Sequence, residues 1–442
     1  MIGSSVTMIN RDKSIMCIRP VQIFAIVLTL FMVFLSSAAL ARQTDKSYEV
    51  LPAPDLWYND TDGIRVGLRL RGQVPGTFND GPHRLDFGIW LGTWFPTYPV
   101  SYYVKYTEPI PSISEFNSEG SINLISSIRT GFHRHALRFD KRWQEGFNED
   151  VFREFHAESG GHRRFSHEYV PFPSVWQNDW IYYLNTGYEW QKQIADQRGL
   201  TNGNLTSILG LHDGDSFIKV TVDLNNRIEF VRGFGIHVRG SGSFSSKNLP
   251  PEYGLLRSMA SPVDWMNSGF TRAKGTIPTP WMQSGAVNIA GGPSLRGYNR
   301  ADIKMMKDGL PMLFRNMFAV NAELDYPNPL DRAFEGIPVL GEFLRLRSYL
   351  FYDGGAGLTL EQSIAADPVQ SIAVSLIESE VSPYFSDIGA GFMLSLNIPD
   401  YLGKPRGFVI RYEIPFWLSH PENGQDRLRY RGHLGIGAVI AL

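Results

Sequence analysis

Between residues 63 and 71 every second side chain is apolar. Ile64, Val66, Leu68 and Leu70 fall on one face of an extended chain, and Arg65, Arg69 and Arg71 on the other. Successive residues of a strand point to opposite faces, so such a run is a strand with one face for oil and one for water. The pattern recurs at 85–91, 103–106, 136–141 and 217–224. A β-sandwich strand also alternates, but several of these runs reach the ~9–11 residues that cross a bilayer at a tilt, beyond the ~5–6 of a soluble strand. The expected fold class is all-β, a transmembrane antiparallel β-barrel. Tyr and Trp collect at the strand ends (Trp90, Trp94, Tyr98, Tyr102, Tyr103, Trp176, Trp180, Tyr182 and Tyr183), where interfacial girdles would lie. An aromatic content of 13% and 43 glycines fit many strands and tight turns.

The strands are expected near 63–71, 84–95, 99–107, 119–130, 133–142, 180–193, 203–213, 216–224, 227–241, 254–264 and 281–290, then 313–326, 345–357, 386–397, 406–417 and 431–442. That makes sixteen, with 143–178 as one long outer loop and Asn225-Asn226 as a two-residue turn. Ahead of them, Arg11, Lys13 and Arg19 precede an apolar run over 21–35, followed by Ser36, Ser37 and Ala39-Leu40-Ala41. This is the pattern of a secretory signal peptide covering 1–41. Residues 42–62 then read as a short periplasmic lead-in, and 63–442 as the outer-membrane barrel. The only cysteine, Cys17, precedes the apolar run, so neither lipoprotein acylation nor disulfide chemistry is expected downstream. A net charge of −2 gives no argument for nucleic acid.

Between two strand-like segments lies Gly291-Gly292-Pro293-Ser294-Leu295-Arg296-Gly297-Tyr298-Asn299-Arg300, a glycine-rich loop. It is followed in order by Asn321-Ala322-Glu323-Leu324-Asp325-Tyr326-Pro327, by Phe351-Tyr352-Asp353-Gly354-Gly355, and by Asp387-Ile388-Gly389-Ala390-Gly391-Phe392. Together the four resemble the signature loop, acidic strand end, Phe-x-Asp-x-Gly strand and glycine-rich strand of the bacterial surface antigen barrel family. That superfamily includes the outer-membrane barrel-assembly factor and the two-partner-secretion transporters. The resemblance is specific over 281–442 and only compatible in strand pattern from 63 to 280.

The resemblance implies that the loop enters the lumen with Gly291, Gly292, Leu295, Gly297 and Tyr298 as its signature positions. Arg296 would reach the wall to pair with Asp353 and, as second partner, Glu323. Phe351 and Gly355 would be the matching positions of the strand motif. Alternation adds that Tyr349, Phe351, Asp353 and Gly355 share one face, opposite Leu350, Tyr352 and Gly354. The sequence departs from the family by having no POTRA domain ahead of the barrel, since only 42–62 separate the signal from the first expected strand. It also ends in Leu442 in place of an aromatic residue, which weakens the assembly signal.

Enzyme signatures are absent from the pattern. His133, His135, His156, His162 and His167 gather within a short stretch, and His167-Glu168 opens like a zinc helix, but Pro171 stands where the second ligand would be. No Gly-x-Ser-x-Gly elbow occurs. The 291–297 loop lacks dinucleotide spacing, and no helix pattern is read after it. No catalytic set, metal or cofactor is therefore expected. The function implied is assistance to proteins or lipids entering or crossing the outer membrane through a labile first-to-last strand seam, weakened by Gly432, Gly435 and Gly437. The expected partners are outer-membrane lipid and either a client protein or a separate periplasmic partner. The alternative is a passive structural barrel or small loop-plugged pore; an outer-membrane hydrolase ranks third.

Overall fold

A computed structural model describes residues 47–59, 63–74, 82–94, 99–129, 131–146, 148, 150–166, 175–194, 198–231, 233–267, 281, 284–289, 291–308, 311–330, 333, 336–337, 344–363, 376–377, 379–399 and 405–440. The signal segment, Tyr98, His167, Glu168, Pro171 and Leu442 lie outside them. Residues 50–442 form one compact unit, built on a seventeen-stranded sheet.

Eleven strands come first: β1 (Glu49–Asn59), β2 (Gly63–Gln73), β3 (Arg84–Gly92), β4 (Val100–Pro109), β5 (Ser118–Arg129), β6 (Phe132–Gln144), β7 (Phe152–Arg164), β8 (Ile181–Ile194), β9 (Gly199–His212), β10 (Asp215–Val231) and β11 (Phe234–Ser245). The two-residue β12 (Val287–Asn288) interrupts the series. Then follow β13 (Phe314–Tyr326), β14 (Leu344–Thr359), a small separate hairpin of β15 (Gln362–Ser363) and β16 (Leu376–Ile377), and β17 (Phe385–Pro399), β18 (Pro405–Leu418) and β19 (His433–Ile440). Antiparallel registers link β2 through β11, then β11 to β13, β13 to β14, β14 to β17, β17 to β18 and β18 to β19, with register shifts in the β10–β11, β13–β14 and β17–β18 pairs. β1 adds itself to β2. Without β12 and the small hairpin, eleven wall strands precede the signature loop and five follow it.

The wall has the two faces that the alternation requires. Ile64, Val66, Leu68, Leu124, Leu137, Leu184, Leu209, Ile218, Val320 and Leu350 are exposed. Asn123, Glu158, Lys219, Asn321, Glu323 and Asp353, on the other face, are buried. An apolar outside around a polar inside is the order of a membrane barrel, where lipid offers no hydrogen bonds and every wall backbone group must find a partner in a neighbouring strand. No described helix is long and apolar enough to cross a membrane.

The sixteen wall strands are not all the expected ones. β1 occupies most of the expected lead-in. Its Pro52 and Pro54 lack N–H donors, which removes the strand signal from sequence and is tolerated only where that edge needs no donors. β7 runs through the expected loop of 143–178. Its outward positions are Phe155, Ala157, Ser159 and Gly161 instead of large aliphatics, so alternation is faint, yet its residues find register partners on β6 and β8. β10 passes straight through Asn225-Asn226, because Asn225 Nδ2 donates to Asn202 Oδ1 at 2.9 Å across the polar inner face. The hairpin turn falls instead at Gly233, with φ of 80°.

The expected strands at 254–264 and 281–290 are not wall strands. The first follows a short 3-10 turn (Pro251–Tyr253) and runs into the helix α1 (Pro262–Asn267), and the second contributes only β12. Their apolar residues face every direction because they fill the lumen. Leu256, Met259, Val263, Trp265, Val287 and Ile289 are all buried against Phe132, Ile181 and Phe217 of the wall. The described part of 246–313 is thus a plug with its own hydrophobic core.

The girdle divides in the same way. Trp94 and Tyr182 are exposed at strand ends, while Trp90 and Trp176 are buried. The Trp90 indole N–H donates to Asp55 at 2.6 Å, and the Trp176 ring packs edge-on to Phe132. Tyr183 likewise turns inward and donates its hydroxyl to Glu158 at 2.6 Å.

Candidate functional site: a buried arginine latch in the lumen

The chain reverses into the lumen at Gly291 and Gly292, whose φ angles of 145° and 56° are open to glycine. A Cβ on Gly292 would stand 2.9 Å from the Met259 carbonyl oxygen, so the two limbs of the plug meet without side chains between them. Leu295 is fully buried and anchors the turn beside Phe314 and Met317. A single 3-10 turn (Arg296–Tyr298) then presents Arg296 to the wall.

Arg296 is 4% exposed, and its guanidinium meets three carboxylates. Nε and Nη2 donate to Asp353 Oδ2 and Oδ1, each at 2.7 Å, in the bidentate fork geometry. Nη1 donates to Glu323 Oε1 at 2.8 Å and to Glu413 Oε1 at 3.0 Å. The Arg296 backbone N–H adds a bond to Asp353 Oδ2 at 3.2 Å. The guanidinium lies 3.8 Å above the Phe351 ring, which gives the aromatic of the strand motif a physical use as a cation–π floor.

Other acceptor sites of these carboxylates are also taken. Asn321 Nδ2 donates to Asp353 Oδ1 at 2.9 Å and to the Ser294 carbonyl at 3.0 Å. Arg347 Nη2 donates to Glu323 Oε2 at 2.7 Å, and Tyr349 OH to Glu413 Oε1 at 2.7 Å. His433 Nε2 sits 3.2 Å from Glu413 Oε2. Burying one cation among carboxylates is tolerable only when the lone pairs are answered in this way. Burial acts to lower the Arg296 pKa, but Asp353, Glu413 and Glu323 together hold it well above the usual arginine range.

Four wall strands therefore grip one loop residue or its carboxylate partners: β13 through Glu323, β14 through Asp353, β18 through Glu413 and β19 through His433. Tyr349, Phe351 and Asp353 face inward and are buried, while Leu350 and Tyr352 face outward and are exposed. A Cβ on Gly355 would stand 2.6 Å from the Phe318 carbonyl oxygen, so β13 and β14 approach closely there. Gly297 meets Asp387 and Leu418, where a Cβ would stand 2.7 and 2.3 Å from side-chain atoms. Tyr298 is buried and its hydroxyl donates to the Ser386 carbonyl at 3.2 Å.

Sequence reasoning missed Glu413, which becomes a neighbour only when the wall curls round a chain separation of 117 residues. The alternation of Arg411 and Glu413 with Ile410, Tyr412 and Ile414 carries the signal that could have found it. A second latch was also missed. Helix α2 (Asn299–Asp308) directly follows the loop where no helix was expected. Asp302 in its first turn accepts Arg257 Nε and Nη2 at 2.9 and 2.7 Å, together with Ser258 N and Oγ at 3.1 and 2.8 Å.

The histidine cluster is divided by the wall. His162 faces the lumen, with Nε2 2.7 Å from the Tyr253 hydroxyl. His133 and His135 instead lie among Phe165 and Trp180 at one end of the barrel. Among the described residues no three His, Cys, Asp or Glu side chains are placed to hold a metal ion.

The plug also carries a titrating group. Burial pushes the Glu252 carboxyl up to about 7, only partly opposed by its own backbone N–H and that of Gln177. Between its ordinary value near 4.5 and about 7, this acid is protonated in the folded state and ionised in the unfolded chain. Stability from this group is therefore full below the ordinary value and lost as pH rises through the folded one. A tenfold difference in proton affinity is worth about 1.4 kcal/mol, so the loss reaches at most roughly 3 kcal/mol. Glu252→Gln should flatten the fall in urea midpoint between mildly acidic and mildly alkaline pH; an unchanged slope would assign the pH dependence elsewhere.

Fold and site together define an outer-membrane type β-barrel whose lumen is filled by a latched loop. No protein-family model matches the sequence, and no curated protein matches it. Among solved structures, the chain is similar to the crystal structure of BamA from Haemophilus ducreyi lacking POTRA domains 1–3, at 12% identity and a TM-score of 0.43, covering 92% of this chain and 78% of that one. It is also similar to a bacterial polysaccharide outer membrane secretin, at 10% identity and a TM-score of 0.34, covering 87% and 93%.

Proposed function

We propose that the chain is a non-enzymatic outer-membrane barrel that assists proteins or lipids into or across the membrane through the meeting of its first and last strands. The observation that carries this reading is the edge of β19. At Leu434 and Gly435 that strand pairs with β18 on one side and with Val287 and Asn288 of the plug on the other. A strand has two edges, so the second edge is held there by a short parallel contact from inside the lumen, including a bond from the Leu434 N–H to the Ala286 carbonyl. At the opposite end of the series, Pro52 and Pro54 deprive β1 of two donors. Both terminal strands are thus poorly equipped for a strong mutual ladder, and an exposed strand edge is what an incoming strand pairs with.

The test is to lock this edge with Val287→Cys and Leu434→Cys. Oxidised in membranes, the variant should behave like a deletion in its outer-membrane protein and lipid profile, and reductant should restore it. A locked barrel that performs like wild type would favour the passive reading. That alternative draws support from the plug's depth of anchoring, since Arg296 and Arg257 each hold a buried carboxylate. It predicts small, flickering conductance in planar bilayers that increases when residues 291–300 are deleted. Unchanged conductance after the deletion would show that these residues do not obstruct the lumen.

A further inference from the structure

The strand ends at Ser245, Thr359 and Leu418 lie at the same end of the barrel, because β11, β14 and β18 run in one sense and each pairs antiparallel with the wall strand that follows it. Between them lies a cavity of about 700 Å³, within the range of small-molecule sites. Its lining is strongly cationic: Arg257, Arg300, Lys304, Arg429 and Arg431, with Glu422 the carboxylate among the lining residues. Arg257 is committed to Asp302, and Lys304 lies 4.0 Å from Glu422. The other three guanidiniums have no carboxylate partner among the described residues.

Arg300 and Arg429 are exposed, and Arg300 donates to the Gly432 carbonyl at 2.9 Å. Arg431 is 5% exposed, yet its Nη atoms donate to the backbone carbonyls of Asp426, Arg427 and Arg429, and its Nε has no partner among the described residues. Burial and the nearby guanidiniums of Arg429 and Arg300 lower its pKa, only partly opposed by Tyr298 and the Asp387 carboxyl. A charged side chain held by neutral carbonyls beside two like charges is an arrangement that a multivalent anion would relieve.

We propose that this cavity binds a phosphoryl group. A phosphate monoester carries about 1.5–2 negative charges and three acceptor oxygens, which matches several guanidiniums without carboxylate partners better than a single carboxylate does. The mouth of a membrane barrel can receive that group from a phosphorylated lipid headgroup or from a soluble phosphate, and the chemistry recognised is the same.

The test uses the full chain purified in detergent micelles. Millimolar inorganic phosphate should raise its thermal midpoint by a few degrees over chloride at matched ionic strength, because a ligand that binds only the folded state stabilises it. Micelle-dispersed phosphatidic acid should do the same relative to phosphatidylcholine. Arg300→Gln with Arg429→Gln, both at exposed positions, should weaken binding about tenfold or more, read as the ligand-induced rise above the variant's own ligand-free midpoint. Arg431→Gln should weaken it further. Phosphatidic acid acting at far lower concentration than inorganic phosphate would assign the site to a headgroup, and equal potency would assign it to a free anion. Failure of both probes to exceed their controls, or an undiminished response in the double variant, would overturn the proposal.

Discussion

Arg296→Ala should be among the most damaging single substitutions in the barrel, lowering stability by about 3–5 kcal/mol, because it leaves buried carboxylates without their cation. Asp353, Glu323 and Glu413 converge on its guanidinium and are each at most 6% exposed. Asp353→Ala should cost less, since Arg296 would keep Glu323 and Glu413. The double variant should be little worse than Arg296→Ala alone, as expected of groups acting as one unit. Arg296→Lys should not rescue, because a point ammonium cannot span a bidentate carboxylate and two further acceptors. Urea midpoints and the heat resistance of the folded band on gels measure all four. Strictly additive losses, or a harmless Arg296→Ala, would show that the loop is not held by this cluster.

Gly297→Ala should cost about 1–3 kcal/mol by overpacking, a large effect for one methyl group. The added Cβ would stand 2.3 Å from Leu418 Cδ2 and 2.7 Å from Asp387 Cβ. The leucine terminus can rotate away, whereas Asp387 Cβ is fixed to the β17 backbone. Leu418→Ala should therefore recover only part of the loss, and Gly297→Val should lift the loop far enough to raise conductance. Full recovery in Gly297→Ala/Leu418→Ala would place the constraint on Leu418 alone.

The latch partners on β13 and β14 were legible through the family resemblance, to which alternation added the inward face of Asp353. Glu323 is flanked by Ala322 and Leu324, and Asp353 by Tyr352 and Gly354. Glu413 and His433 were not, since only the curvature of the wall brings β18 and β19 to a loop so distant in sequence. The strand total was legible while two of its members were misplaced, for one physical reason. Alternation marks a strand only where lipid demands large apolar side chains, so proline-bearing β1 and glycine-bearing β7 were silent. Conversely, the plug at 254–264 and 281–290 is apolar because it is buried inside the lumen, and short windows of it imitate strands.

Entry of the described part of 246–313 into the lumen, as far as the edge of the last strand, is tested most directly by disulfide formation in Val287→Cys/Leu434→Cys within intact membranes. Val287 and Leu434 are register partners, a separation a disulfide can span. The expected result is a gel-mobility shift that reductant abolishes, and that Arg296→Ala in the same background diminishes. Absence of the crosslink in a barrel that otherwise folds would contradict it.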